Sequence, residues 1–139
     1  MLLDTYAWIE FLRGTERGKK VREILRAERC YTSIVSIAEL VEWCLKNSLS
    51  TRIGEYVRGI TKSSVVLGLD EEIALIAGKI SHERKKKTKG WGMIDSLMLA
   101  TAVSYNLNIL TGDSHFKDLS NLKYRRRKPA GSSEPSTTR

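Results

Sequence analysis

The stretch MLLDT, residues 1–5, sets the reading of the whole chain. Its apolar residues form a short strand that ends on Asp4, and a helical pattern begins at once over residues 5–12. The rest of the sequence continues that alternation. A second helix is expected over 17–27 and a brief strand over 30–32. Ser33 or Ser36 then caps a helix to about Asn47, on whose inner face Ile34, Ile37, Ala38, Val41, Cys44 and Leu45 recur three and four apart. A helix near 51–60 leads to a β-branched strand at 64–67. Asp70 caps a helix through Ile73, Ile76, Ala77 and Ile80 that dissolves into RKKKTKG (84–90). The run 93–105 is apolar nearly all round and should be a buried helix. Strands follow at 107–110 and, at the end, 122–124. Short strands separated by helices predict a single α/β domain with a mostly parallel central sheet flanked by helices. Such sheets bind ligands beyond the carboxyl ends of their strands.

The composition fits a globular partner of a polyanion. The 139 residues are 41% hydrophobic and 29% charged, with a formal net charge of +8 that suggests an acidic partner such as nucleic acid. Arg125, Arg126, Arg127, Lys128 and Arg139 against Glu134 supply +4 of it, so the surplus on residues 1–124 is modest. We therefore divide the chain into a domain over 1–124 and a flexible tail, RRRKPAGSSEPSTTR (125–139), too polar to bury a core of its own. Cys30 and Cys44 read as buried thiols in a reducing compartment rather than as a disulfide. With no signal peptide and no apolar span of about 18 residues, the expected location is the cytoplasm, away from membranes.

Four acids carry the chemistry: Asp4 in MLLDT, Glu39 in SIAEL (36–40), Asp95 in GMIDSLMLATA (92–102) and Asp113 in LTGDSHF (110–116). Taken singly, each has an ordinary explanation. Asp4 suits a helix N-cap, Asp95 gains from the dipole of a first helical turn, and Asp113 suits a turn. At about 100° per residue, Glu39 falls opposite the Ile37/Val41/Cys44 stripe, where a solvated glutamate is unremarkable. Gathered at one sheet edge, four carboxylates would repel one another. A divalent cation relieves that repulsion, and oxygen-only ligands favour Mg²⁺ or Mn²⁺. Two such ions about 3.5–4 Å apart would clamp a phosphodiester, one activating water and the other stabilising the leaving oxygen.

The order of these four motifs, together with their spacing, resembles the PIN domain family of metal-dependent ribonucleases over roughly residues 1–124. Compact chains of this length are similar to the VapC-type toxins of toxin–antitoxin modules. The resemblance places the family's acidic centre on Asp4, Glu39, Asp95 and Asp113, with Thr5 and Thr111 as hydroxyl positions beside it. It implies a Mg²⁺- or Mn²⁺-dependent endoribonuclease, RNA as substrate, a homodimer, and a small antitoxin as partner. Within that reading Asp4, Asp95 and Asp113 are direct metal ligands, and Glu39 binds a second metal or orients the water.

Other features are less specific. Arg84, Lys85, Lys86, Lys87 and Lys89 suit backbone phosphates, or simply a solvated helix end. Trp8, Trp43 and Trp91 suit base stacking or core packing, and His82 and His115 read as surface residues. Rival functions are a housekeeping RNA-processing PIN nuclease and a PIN-like module that binds RNA or protein without turnover. An aspartyl phosphoryl-transfer domain fits poorly, because no second aspartate follows two residues after Asp4.

Overall fold

The computed structural model describes residues 1–111. They run β1 (Leu2–Leu3), α1 (Thr5–Arg13), α2 (Glu16–Ala27), β2 (Tyr31–Ser33), α3 (Ile34–Lys46), a 3-10 turn (Ser50–Arg52), α4 (Ile53–Ser63), β3 (Val65–Leu67), α5 (Glu71–Arg84), α6 (Met93–Tyr105) and β4 (Ile109–Leu110). The strands form one sheet in the order β3-β2-β1-β4, and every neighbouring pair is parallel. The α/β architecture is the one the alternating pattern implies. The strand expected at 122–124, the tail at 125–139 and His115 lie outside the described residues.

Helices cover both faces, which is why β1, β3 and β4 read as unbroken apolar runs. Successive residues of a strand point to opposite sides. Leu2 joins Tyr31, Ile109, Met98 and Leu99 on one side, and Leu3 joins Trp8, Leu40, Cys44 and Ile60 on the other. Helix starts follow local chemistry: Asp4, Thr15, Ser33 and Asp70 each accept a backbone N–H two or three residues on. Of the two candidate serines, Ser33 is the cap of α3. The α1–α2 pairing is so close that a Cβ on Gly18 would stand 2.1 Å from the Glu10 carbonyl oxygen.

The inner face of α3 differs from the expected one. Its buried residues are Val35, Ser36, Leu40 and Cys44, while Ile34 and Leu45 are exposed. The helix is apolar on two sides, so periodicity alone did not decide which would meet the core. Glu39 consequently falls angularly between Val35 and Ser36, on the flank of the buried face and half-buried. Cys30 and Cys44 are buried free thiols, and burial pushes both up from the usual thiol range. Among the described residues, no helix is long and apolar enough to cross a membrane.

The strand order fixes where a ligand can sit. From β1 the chain steps through β2 to β3 on one side, then returns to place β4 on the other. A reversal of this kind is where parallel sheets generally take their ligands, here beyond the carboxyl ends of β1 and β4. The helices α1 and α3 leave directly from the carboxyl ends of β1 and β2, and α6 runs back toward β4. Their N-termini therefore share that edge and supply positive partial charge to it.

Candidate functional site

Asp4 stands at the reversal point. It is only 4% exposed, and its two carboxylate oxygens are held by donors from different elements. Oδ1 accepts the Ala7 backbone N–H at 2.8 Å, and Oδ2 accepts the Thr111 hydroxyl. The register explains the second contact: Leu3 pairs with Leu110, so the next residues, Asp4 and Thr111, leave the sheet side by side. The helix-cap reading of Asp4 is correct, and the cap employs one oxygen.

Glu39 reaches back across α3 to the same edge, where its Oε1 accepts the hydroxyl of Thr5 at 2.5 Å. Thr5 follows Asp4 directly, so the two acids are tied to consecutive residues. Asp95 occupies the third position of α6, and its Oδ2 accepts the Gly92 backbone N–H at 3.0 Å. A contact from the Ser36 hydroxyl to Met98 Sδ at 3.8 Å joins α3 to α6, one turn from Glu39 on the first helix and one turn from Asp95 on the second.

The side-chain atoms that could ligate a metal here are carboxylate and hydroxyl oxygens, a set suited to a hard divalent cation. A carboxylate oxygen holding one donor keeps acceptor capacity for another partner. Among the described residues, no three of His, Cys, Asp and Glu converge closely enough to hold a metal. Asp113, the fourth acid of the sequence reading, lies outside the described residues.

A family model for the PIN domain matches residues 1–122. The chain belongs to the PIN domain family. No curated protein matches this PIN domain's sequence. Its fold is similar to that of solved structures at low sequence identity. A toxin–antitoxin complex from Klebsiella pneumoniae shares 20% identity at TM-score 0.65, covering 86% of this chain and 92% of that one. VapBC2 from Rickettsia felis, bound to a DNA fragment from its promoter, shares 16% at TM-score 0.69 with the same coverage. FitAB bound to the IR36 DNA fragment shares 22% at TM-score 0.61 and covers 90% of each chain.

The structure divides the cationic run of this PIN domain in two. Lys85, Lys86, Lys87 and Lys89 are exposed. Arg84 is 7% exposed, its guanidinium lies over the Trp91 ring at 4.8 Å, and it donates to the Thr88 hydroxyl at 2.9 Å. Arg84 therefore differs from the solvated lysines with which its sequence groups it, because the last turn of α5 points it inward against Trp91. The tryptophans divide similarly. Trp8 is fully buried, with Nε1 bonded to the Thr32 hydroxyl at 3.0 Å, and Trp91 is 4% exposed, so both belong to the core. Trp43 is half-buried and lines a cleft of about 400 Å³ with Arg13 and Tyr56. His82 is exposed, as expected. The contacts around Trp91 and Ser96 were not foreseen; a glycine at the start of α6, where a capping side chain belongs, was the available signal.

Proposed function

We propose that this PIN domain is a divalent-metal-dependent endoribonuclease acting as the toxin of a toxin–antitoxin pair. The observation that carries the reading is Asp4: a buried carboxylate, oriented by donors from α1 and from the end of β4, at the strand reversal where parallel sheets generally bind ligands. PIN domains are generally nucleases, and one of the similar solved structures is a toxin–antitoxin complex.

In this reading Asp4, Glu39, Asp95 and Asp113 hold Mg²⁺ or Mn²⁺. When bound, the ion offsets carboxylate repulsion and supplies Lewis-acid polarisation of phosphate and water. The chain's own residues do the positioning. Thr111 and the Ala7 N–H fix the Asp4 carboxylate, Thr5 fixes Glu39, and the Gly92 N–H fixes Asp95, so little reorganisation is left for the reacting complex. A small antitoxin protein is the proposed partner, with a homodimer as the assembly and residues 125–139 as a basic appendage to a domain ending near 124. The test is cleavage by the purified protein, with Mg²⁺, of tRNA, rRNA and single-stranded DNA. Cleavage of RNA with DNA intact is expected. Cleavage of DNA alone, or binding without turnover, would contradict it.

We assign backbone-phosphate contacts to the exposed Lys85, Lys86, Lys87 and Lys89, and not to Arg84, which is buried against Trp91. Each phosphate contact on a single strand contributes about −0.7 to the slope of log K against log salt. Replacing Lys85, Lys86 and Lys87 by Gln should flatten the slope by about two and weaken different RNA sequences alike. Deleting residues 125–139 is the control. A flattened slope on tail deletion, with none for the Gln variant, would move the contacts to the tail.

A further inference from the structure

Gly92 opens α6 with no side chain to cap it. The Asp95 carboxylate takes the Gly92 N–H instead, so one group both closes its own helix and, in the proposed function, holds metal. A second fastening lies beside it. Trp91 precedes the cap and Ser96 is the fourth helical residue, the spacing at which a hydrophobic staple fixes a chain's entry into a helix. Here the link is polar: Trp91 Nε1 donates to Ser96 Oγ at 2.7 Å, with both residues buried. Trp91 is itself fastened, by its backbone N–H to the Thr88 carbonyl at 3.2 Å and by the buried Arg84 guanidinium over its ring. A desolvated cation on an indole face is among the stronger contacts of its kind.

We propose that Arg84, Trp91 and Ser96 are positioning residues: they clamp the first turn of α6 and thereby set the Asp95 carboxylate toward the metal. The inference rests on Asp95 being one of the metal-holding acids. Helix ends open most readily, and loss of the clamp removes one of the two fastenings described for this end, the other being the Asp95 carboxylate on the Gly92 N–H. An opened first turn then takes the carboxylate away from the site.

The test uses the full chain and three readouts: amide hydrogen exchange over residues 96–99, whose N–H groups bond the carbonyls of the first turn, Mn²⁺ affinity, and kcat and KM for RNA. Trp91→Phe keeps a ring for Arg84 and loses the N–H, and Ser96→Ala loses the acceptor. Each should speed exchange in the first turn, weaken Mn²⁺ binding and lower kcat by about ten-fold, and leave KM unchanged. Because both remove one bond, the double variant should be no worse than either single one. Arg84→Lys, which keeps a cation near the ring, should retain more Mn²⁺ affinity than Arg84→Met. Faster exchange with unchanged Mn²⁺ affinity and kcat would overturn the inference, as would unchanged exchange. Asp95→Asn in the same series separates the two claims. If it loses Mn²⁺ affinity while the clamp variants do not, only the clamp fails. If it retains full affinity and kcat, the reading of Asp95 as a metal-holding acid fails.

Discussion

Asp4→Asn is expected to lower RNA cleavage by at least about a hundred-fold, since residues that merely orient a metal's ligands already cost 10- to 100-fold when removed. The fold should survive. Asparagine ranks with aspartate as an N-cap, so its side-chain oxygen can still accept the Ala7 N–H and its volume is nearly that of the original. Asp4→Ala is the informative contrast. It loses the cap as well, at about 1 kcal/mol, and leaves the Thr111 hydroxyl without its acceptor. Thermal unfolding should therefore separate the two variants while cleavage does not. Equal activity in wild type and Asp4→Asn, with a lowered melting temperature in Asp4→Ala alone, would mean that Asp4 is a helix cap and nothing more.

Removal of metal is expected to have an effect of the same order. In excess EDTA, cleavage should fall to the level of RNA in buffer, and excess Mg²⁺ or Mn²⁺ should restore it. The proposed cause is electrostatic: in the proposed site the carboxylates repel one another and a cation among them offsets that repulsion, whereas helix N-termini at that edge supply only partial positive charge. Full activity in chelator would contradict the proposed chemistry.

Most of the architecture was legible because a parallel sheet imposes a simple pattern. Leu2 and Leu3 are buried on opposite faces, so β1 shows as an apolar pair closed by a cap residue, and the same logic marks Val65–Leu67 ahead of Asp70. What the pattern could not decide was orientation. In α3 the apolar residues occupy two sides, and only packing against Trp8 and Met98 selects Val35, Ser36, Leu40 and Cys44 as the inner ones. Glu39 thus moved from the far side to the flank of the buried face, next to Thr5. Arg84 illustrates the complementary limit: five cations in six residues look alike in sequence, yet one lies on a buried indole. The hydrogen bond between Asp4 and Thr111 spans 107 positions. Nothing local signals it, and it follows from the register of β1 on β4.

The central claim is that Asp4 and its neighbouring acids form a divalent-metal site, and Mn²⁺ binding measured directly on the full chain tests it without reference to any substrate. Titration followed by electron paramagnetic resonance should show saturable binding to the wild-type protein, competed by Mg²⁺, and strongly weakened by Asp4→Asn. Equal Mn²⁺ affinity in wild type and Asp4→Asn, or no saturable binding to either, would contradict the account.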